Sequence, residues 1–260
     1  MILDEIAAKT QLRLRSINED ERKDMEKRAY SAPISKSFEF YKALSKPGLS
    51  FIAEVKKASP SKGLICEDFK PVEIAKEYER IGIDAISVLT ERDYFQGSPS
   101  FLKDISENVK TPTLRKDFIV DSYQVHEAKV IGAKAILLIC ALHNKQSLAN
   151  LYNEATNLGL DVLVEAHTKE EIELALSIDA KIIGINNRNL KTFNVDLTIS
   201  EKMREYIPSN KIMVSESGYF KRYDVLKAED IGCDALLIGE SFMRAESKET
   251  LLKLLKGLSL

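Results

Sequence analysis

Cysteine is scarce in this sequence of 260 residues, and its scarcity excludes two common ways of stabilising a fold. Cys66, Cys140 and Cys233 are odd in number, lie far apart and form no Cys-x-x-Cys pair. Such spacing supports neither a disulfide framework nor a zinc site. We therefore expect three free thiols in a reducing compartment, which favours a cytoplasmic protein.

Excess charge of one sign and long apolar runs are also missing. The 38 Lys and Arg residues nearly balance the 40 Asp and Glu residues, which gives a net charge of −2. This balance argues against a nucleic-acid-binding surface spread over the protein, but it allows a small basic pocket for a phosphorylated metabolite. No apolar stretch approaches the ~20 residues of a membrane span, and residues 1–5 do not resemble the start of a signal peptide. We expect neither nucleic acid nor a membrane as a partner.

Motifs for cofactors and metals are absent as well. The chain has no Gly-x-Gly-x-x-Gly and no Gly-x-x-x-x-Gly-Lys-Ser/Thr, so it lacks the usual dinucleotide and P-loop signatures. No His-x-x-x-His pair or acidic cluster has the spacing of metal ligands. We expect His126 to pack within a helix, His143 to lie in a loop, and His167 to shape the loop after Glu165. The sequence predicts no cofactor and no metal.

The first 48 residues are polar and favour helix. Apolar side chains form only a weak stripe through residues 2–30, and a second helix is predicted from Lys36 to Leu44. Pro47-Gly48 ends that helix. So few apolar residues cannot form a core of their own. We expect residues 1–48 to be an N-terminal helical extension packed on a main domain of residues 49–260.

After Gly48, short apolar runs alternate with amphipathic helical segments. Such runs between helices indicate a parallel sheet covered on both faces. Eight βα units in about 210 residues fit a (β/α)8 TIM barrel, whereas a doubly wound open sheet is the alternative. The eight predicted strands are Phe51–Val55, Ala85–Leu89, Thr113–Asp117, Ala135–Ile139, Val162–Val164, Ile182–Ile185, Ile212–Val214 and Ala235–Ile238.

Polar side chains follow seven of these eight strands. Glu54 and Lys56 are two residues apart at the end of the first strand, so they project to the same side. In a β/α barrel the carboxyl ends of all strands meet at one mouth, where the chemistry collects. The other polar ends are Thr90-Glu91, Arg115-Lys116-Asp117, Glu165, Asn186-Asn187-Arg188-Asn189, Ser215-Glu216-Ser217-Gly218 and Gly239-Glu240-Ser241.

The charged strand ends supply groups for proton transfer. Lys116 is a candidate acid whose pKa we expect to be lowered by burial or by neighbouring cations, with an ion pair to Asp117 as the alternative role. Glu165 is the candidate base, or else a structural partner of a lysine. Lys56 is either anchored by Glu54 or binds a substrate carboxylate.

Two glycine-containing turns predict a phosphate site. Ser217-Gly218 and Gly239-Glu240 follow the seventh and eighth strands, where backbone N–H groups can approach an anion closely. The alternative is that both are plain turns between strand and helix. We expect the phosphate at this side of the mouth, with Gly239 and Glu240 contributing main-chain groups.

In this order the motifs resemble one family, indole-3-glycerol-phosphate synthase of tryptophan biosynthesis. The resemblance covers nearly the whole chain, including the helical extension. The motifs that carry it are Ile52-Ala53-Glu54-Val55-Lys56-Lys57-Ala58-Ser59-Pro60-Ser61-Lys62-Gly63, Val88-Leu89-Thr90-Glu91, Phe95-Gln96-Gly97-Ser98, Leu114-Arg115-Lys116-Asp117-Phe118, Val164-Glu165, Asn186-Asn187-Arg188-Asn189, Ser215-Glu216-Ser217-Gly218 and Leu237-Ile238-Gly239-Glu240-Ser241.

The resemblance implies a cofactor-free carboxy-lyase that closes and decarboxylates 1-(2-carboxyphenylamino)-1-deoxyribulose 5-phosphate. It makes Lys116 the acid that protonates the ketone oxygen, Glu165 the base of the later dehydration, and Lys56, positioned by Glu54, a second proton donor. The two lysines could also divide these roles differently. The substrate-binding residues that it implies are Ser59, Phe95, Phe118, Leu137, Asn186, Arg188 and Glu216, and those for phosphate are Ser217, Gly218, Gly239 and Glu240.

Two other readings compete with this one. Another phosphate-binding barrel, such as a ribulose-phosphate epimerase or phosphoribosylanthranilate isomerase, would not call for two lysines and two glutamates at the first, third and fifth strands. A non-catalytic scaffold barrel predicts the loss of a charged strand-end residue, and none is lost. We expect a monomer, with a weak homodimer as the alternative.

Overall fold

A computed structural model describes residues 2–34, 37–189 and 192–259, and its centre is a closed barrel of eight strands. Each barrel strand pairs in parallel with both neighbours, and the order around the barrel follows the chain. The predicted (β/α)8 barrel is confirmed, and the alternative, a doubly wound open sheet, is wrong. The barrel strands are β1 (Ser50–Val55), β4 (Ala85–Leu89), β5 (Thr113–Lys116), β6 (Ala135–Ile139), β7 (Asp161–Ala166), β8 (Ile182–Asn186), β9 (Ile212–Glu216) and β10 (Ala235–Ile238).

Helices cover the outside of the barrel and precede it. A small antiparallel hairpin of β2 (Ala58–Ser59) and β3 (Gly63–Leu64) follows β1, and a 3-10 turn, Cys140–Leu142, follows β6. The helices are α1 (Ile2–Arg15), α2 (Glu19–Ser31), α3 (Glu39–Leu44), α4 (Pro71–Arg80), α5 (Pro99–Ser106), α6 (Ser122–Val130), α7 (Lys145–Asn157), α8 (Lys169–Ser177), α9 (Thr198–Arg204), α10 (Arg222–Asp230), α11 (Glu240–Arg244) and α12 (Lys248–Lys256).

Several strands continue past the apolar run that predicted them. Strand β7 extends through Glu165, which pairs in register with Gly184 of β8. Strand β8 extends to Asn186, which pairs with Glu216 of β9. These polar residues remain in the hydrogen-bonded ladder because their side chains project into the mouth and not into an apolar layer. Apolar runs therefore mark the strand cores and miss their functional ends.

The N-terminal segment divides into separate helices. Asn18 begins α2 with a capping box, in which its Oδ1 accepts the Glu21 N–H at 2.8 Å and Glu21 Oε2 accepts the Asn18 N–H at 3.3 Å. Helix α3 is shorter than predicted, and Lys36, the expected first residue of that helix, lies outside the described residues. The cap at Asn18 lies in a polar stretch and leaves no mark in the apolar pattern. The weak apolar stripe through residues 2–30 therefore did not show where α1 ends and α2 begins.

The extension contacts the barrel at both ends. Helix α3 lies at the start of the strands, where the Asp161 carboxylate accepts the Tyr41 N–H at 2.9 Å and Phe40 and Leu44 pack against the barrel interior. Helix α2 lies beside α6, with Arg22 2.9 Å from Asp121. The division into an extension of residues 1–48 and a domain of residues 49–260 stays a prediction. No helix of the described chain combines the length and apolar character that a membrane crossing requires.

Candidate active site

An open cavity lies at the carboxyl ends of the barrel strands, where the sequence predicts the site. Polar and charged side chains form its floor and one side, and apolar side chains form the other side. The predicted residues that line it are Glu54, Lys56, Phe95, Lys116, Phe118, Leu137, Glu165, Asn186, Arg188, Glu216, Ser217, Gly218, Gly239 and Glu240. Ser59 is the only predicted site residue that does not line this cavity.

Lys116 lies at the centre of the charged floor. Its Nζ is 3.4 Å from Glu165 Oε2 and 3.7 Å from Glu216 Oε2. Asp117 faces away from it and is 3.0 Å from the Arg115 guanidinium. Neighbouring residues on a strand project to opposite sides, which separates the outward Arg115–Asp117 pair from the inward lysine. The alternative role of Lys116, an ion pair with Asp117, is therefore wrong.

The electrostatic environment of Lys116 also differs from the expectation. Burial by itself would lower the pKa of Lys116, but the Glu165, Glu216 and Glu54 carboxylates outweigh burial and raise that pKa well above its usual range. The prediction of a lowered pKa is wrong, because three strands bring carboxylates to this amine. Lys116 is therefore a protonated, half-buried ammonium group.

The two carboxylates beside Lys116 titrate as a pair. Burial tends to raise the pKa of Glu165, but Lys116, His167 and a hydrogen bond with Asn186 lower it. Burial and the charge of Glu165 raise the pKa of Glu216. Like charges this close oppose joint ionisation, so one carboxyl group holds its charge and the other tends to hold a proton. Glu165 is the ionised member, as a base requires.

Glu216 also presents an oxygen that is free for a ligand. Its Oε1 is buried and has no hydrogen-bond partner among the described residues. A buried acceptor without a partner is unfavourable by about 1–3 kcal/mol. A substrate hydroxyl group reaching the floor of the cavity would satisfy this atom.

Glu54 and Lys56 form a second charged pair across the floor. Lys56 Nζ lies 2.5 Å from Glu54 Oε1, and the Ser87 hydroxyl donates to Glu54 Oε2 at 3.4 Å. Burial tends to raise the pKa of Glu54, but the charges of Lys56 and Lys116 lower it. Glu54 thus holds Lys56 in place. This is the first of the two roles that the sequence allowed for Lys56, anchoring by Glu54.

The turns after β9 and β10 form another side of the mouth. Ser217 and Gly218 have left-handed φ values of 71° and 99°. Their N–H groups therefore point in other directions than those of a right-handed helical backbone. The Ser217 hydroxyl donates to Asn186 Oδ1 at 3.1 Å, and Asn187 Nδ2 donates to the Ser217 carbonyl at 3.1 Å. Gly239 directly precedes α11. Both predicted anion turns therefore line the cavity, and neighbouring side chains fix the first of them.

Apolar side chains line the remaining side. The rings of Phe95 and Phe118 lie with their centroids 6.1 Å apart and, with Leu137, form the predicted wall. Further apolar residues contribute to the lining and were not predicted. Four of them belong to ordinary strand interiors and one follows β9: Leu89, Ile139, Leu237, Ile238 and Phe220.

A second, smaller cavity adjoins the first and contains Ser59. Lys56, Phe95, Phe118, Arg188 and Glu240 line both cavities. Ser59 lies in the β2–β3 hairpin. The residues that line only the second cavity are Ile2, Leu3, Ile6, Ser59, Pro60, Ser61, Lys62, Ile65 and Phe193.

Helix α1 is the part of the site that sequence reasoning missed. Leu3 and Ile6 are buried and face the adjoining cavity. Their place in a weak apolar stripe was the available signal, but it does not say which surface the stripe covers. Tyr219 was not predicted either; it is buried and donates from its hydroxyl to Ser215 Oγ at 2.6 Å.

The three histidines lie in different surroundings. His126 is buried in α6, 2.7 Å from Glu154, and His143 contacts the Ile119 carbonyl at 3.0 Å. His167 lies between two carboxylates, with Nε2 3.5 Å from Glu165 and Nδ1 3.4 Å from Glu171. Within the described ranges, no group of three or more His, Cys, Asp and Glu side chains could hold a metal ion.

Comparison with known proteins identifies a family whose sequences match this chain. The sequence model of the family described as indole-3-glycerol phosphate synthase matches residues 3–255. A protein of that name from Endomicrobium trichonymphae is 52% identical over 248 residues, which cover 94% of this chain and 95% of that protein. Another, from Ruminiclostridium cellulolyticum, is 47% identical over 258 residues, covering 99% of both chains.

Solved structures with low sequence identity share the fold. The 3-hexulose-6-phosphate synthase from Salmonella typhimurium superposes with a TM-score of 0.66 at 12% identity, over 80% of this chain and 97% of its own. A mutant tryptophan synthase alpha-subunit from Pyrococcus furiosus gives 0.60 at 14% identity, over 80% and 98%. Identity this low supports the barrel fold and no particular activity.

Proposed function

The chain belongs to the indole-3-glycerol phosphate synthase family, and from this membership we propose how its barrel mouth divides the work of the reaction. The reaction is that of a carboxy-lyase of tryptophan biosynthesis. It closes the ring of 1-(2-carboxyphenylamino)-1-deoxyribulose 5-phosphate, releases CO2 and removes water to give indole-3-glycerol phosphate. One observation carries the proposal: a protonated Lys116 lies among buried carboxylates, between an apolar wall and a pair of anion turns.

We propose that Lys116 is the acid of ring closure. The aromatic carbon that bears the carboxylate attacks the ketone carbon, and the ketone oxygen takes a proton from Lys116 as the new carbon–carbon bond forms. Loss of CO2 then returns its bonding electrons to the ring and restores aromaticity. The neighbouring carboxylates raise the pKa of Lys116, so the amine carries its proton before substrate arrives. Its place at the centre of the charged floor supports the role of acid.

Dehydration completes the reaction at the other charged groups. Glu165 removes a proton from the carbon that joins the ring nitrogen, and the hydroxyl group leaves as water after receiving a proton from Lys56. The lowered pKa of Glu165 and the contact between Glu54 and Lys56 support these roles. The alternative exchanges the two lysines between the steps.

Binding of the substrate uses the rest of the mouth. We propose that backbone groups of Ser217, Gly218, Gly239 and Glu240 hold the phosphate, as anions are held at such turns. Phe95, Phe118 and Leu137 contact the aromatic ring, and Asn186, Arg188 and Glu216 contact the chain of hydroxyl groups. Ser59 contacts the substrate where the two cavities meet. These residues place the ring and the phosphate at opposite sides of Lys116.

The experiment supplies the carboxyphenylamino substrate and follows the fluorescence of the indole product. Lys116→Ala should reduce turnover by about 10²–10⁴-fold, the usual contribution of a positioned acid, while substrate binding remains measurable by calorimetry. Lys103→Ala is the control, because Lys103 is exposed on α5 and pairs only loosely with Glu107 at 4.0 Å. Near-normal turnover by the Lys116 variant would show that another group is the acid.

We further propose that the enzyme is cytoplasmic and acts as a monomer, with a weak homodimer as the alternative. Support for the cytoplasm comes from the three free thiols. Sedimentation at micromolar concentration tests the oligomeric state. A stable dimer that loses activity on dilution would contradict the monomer.

A further inference from the structure

The loop after β4 is wrapped around a buried carboxylate. Glu91 has only 1% of its surface exposed. Its Oε1 accepts the N–H of Asp93 at 2.9 Å, and its Oε2 accepts the N–H groups of Tyr94 at 2.7 Å and Phe95 at 3.0 Å. Hydrogen bonds to an ionised acceptor are roughly twice as strong as neutral ones. Three consecutive amides therefore converge on one side chain.

The backbone around this carboxylate has little freedom. The Glu91 carbonyl accepts the Gly97 N–H at 2.7 Å, which closes the loop. A Cβ on Gly97 would overlap the Leu89 carbonyl oxygen, so only glycine fits there. Gln96 has a left-handed φ of 50°, a conformation that is unfavourable for a side chain by about 1–3 kcal/mol and persists only where surrounding contacts enforce it. Glu91 supplies such contacts.

The three residues bound to Glu91 direct their side chains to different places. Phe95 turns into the cavity and faces Phe118. Tyr94 faces α1, where its hydroxyl donates to Glu5 Oε1 at 2.5 Å. Asp93 lies 3.6 Å from Arg13 of the same helix. One buried carboxylate thus sets the position of an active-site ring and of the surface on which α1 rests.

We infer that Glu91 is a positioning residue for Phe95 and that, through this ring, it sets how tightly the enzyme holds the aromatic end of its substrate. Glu91 itself is 1% exposed and does not line the cavity, so it acts only through the loop. The inference rests on the proposed function, in which Phe95 contacts the aromatic ring. Its consequence is that Glu91 affects the aromatic end and leaves the phosphate end unchanged.

The test is a double-mutant cycle between Glu91 and Phe95. Glu91→Gln keeps the shape of the side chain but replaces one acceptor oxygen with an amide that cannot accept from the loop. We expect KM for the carboxyphenylamino substrate to rise about tenfold, with a smaller change in kcat. A tenfold rise is the effect expected when a substrate loses one contact with an apolar wall. In the Phe95→Ala background the same change should have little further effect, because both variants remove one interaction.

Inhibition by inorganic phosphate separates this role from a general loss of structure. Phosphate probes the turns at Ser217 and Gly218, so its inhibition constant should stay within about twofold of wild type in Glu91→Gln if positions distant from the change act independently. The control is Glu107→Gln, the same substitution at an exposed glutamate at the end of α5. It should leave KM and the phosphate constant unchanged.

Several outcomes would overturn the inference. One is that the KM effects of Glu91→Gln and Phe95→Ala multiply, and another is that phosphate inhibition weakens in step with KM. If Glu91→Gln does not fold, Glu91→Asp is measured in the same cycle, since it keeps the charge and withdraws the oxygens by one carbon. A multiplicative result for that variant likewise overturns the inference. Absence of wild-type turnover would instead contradict the proposed function.

Discussion

Glu216 of β9 lies directly against Gly184 of β8, and its carboxylate occupies the space that a side chain at residue 184 would need. A Cβ added at Gly184 would overlap Glu216 Oε1 and would lie 3.1 Å from Leu163 Cδ1. Gly184 also pairs in register with Glu165 on the other neighbouring strand. Glycine at residue 184 therefore leaves the space from which the Glu216 carboxylate reaches Lys116.

Gly184→Ala should accordingly lower kcat by about 10²-fold, the effect expected when a reacting group moves by about 1 Å. The methyl group displaces the Glu216 carboxylate and disturbs its contact with Lys116. The measurement is steady-state turnover by indole fluorescence. Gly82→Ala is the control, because a Cβ there meets open space at a left-handed φ of 80°. The control should lose stability and keep its kcat, and equal kcat in the two variants would contradict the prediction.

The pH dependence of substrate binding should report Glu216. Burial and the charge of Glu165 raise the pKa of Glu216 to about 8. Below this pH the carboxyl group is neutral, and above it a second negative charge appears beside Glu165 and repels the anionic substrate. KM should therefore rise as pH passes through this value, and Glu216→Gln should remove the rise. A rise that persists in the glutamine variant would assign it to another group.

The stability of the protein should depend on His167. Burial by itself would lower the pKa of His167, but its hydrogen bond with Glu171 and the charges of Glu165 and Glu171 raise it above 6.5. A raised histidine pKa stabilises the fold below the unfolded value of about 6.5, and this stabilisation is lost as pH rises through the folded value.

Urea unfolding of wild type and His167→Gln therefore tests this linkage. The difference in the free energy of unfolding should be largest near pH 6 and should shrink in more alkaline buffer. A difference that does not change with pH would show that His167 contributes only by packing.

Asp161, at the start of the strands, should also make stability fall as pH rises, but here the charged form is the destabilising one. Burial raises the pKa of Asp161 from 3.8 to about 6, although the N–H groups of Tyr41 and Phe40 oppose the shift. Because the folded value lies above the unfolded one, this carboxylate lowers stability as pH rises from about 4 to 6. Asp161→Asn keeps an oxygen for the Tyr41 N–H and removes the charge. Thermal unfolding at neutral pH should show a gain of at most about 3 kcal/mol, from 1.36 kcal/mol per pKa unit.

A loss of stability in Asp161→Asn at neutral pH would contradict the linkage. The contact with Tyr41 would then outweigh the relief from a buried charge. Asp179→Asn offers a comparison, since Asp179 is exposed and its pKa is lowered by hydrogen bonds with Lys181 and Lys211. Its removal should reduce stability above the acid range, opposite in sign to the change at Asp161.

Apolar runs were enough to predict the barrel, because a strand covered on both faces must be apolar along its length. Strand β4, Ala85–Leu89, and strand β10, Ala235–Ile238, have the predicted bounds for this reason. Glu165 and Glu216 extend their strands without any apolar signal, since the mouth of the barrel takes the place of a core. Motif spacing placed these residues at the mouth but could not show their contacts.

The pKa of Lys116 shows where sequence reasoning stops. Whether burial lowers that pKa or carboxylates raise it depends on three distances, to side chains from β1, β7 and β9. Residues up to about a hundred positions apart meet there only after the barrel closes. The position of α1 is a similar case, because a weak stripe can pack against several surfaces, and only the folded chain shows that Leu3 and Ile6 reach the mouth.

The placement of α1 and α12 decides where a label can be attached without blocking the substrate. Ile2 and Leu3 of α1 line the cavity beside the aromatic wall, so a dye coupled to a cysteine introduced there would be held at the entrance for substrate. Helix α12 lies in another region, where the Lys256 amine is 5.4 Å from the ring of Phe51, near the start of β1. A dye coupled to α12 would leave the entrance clear.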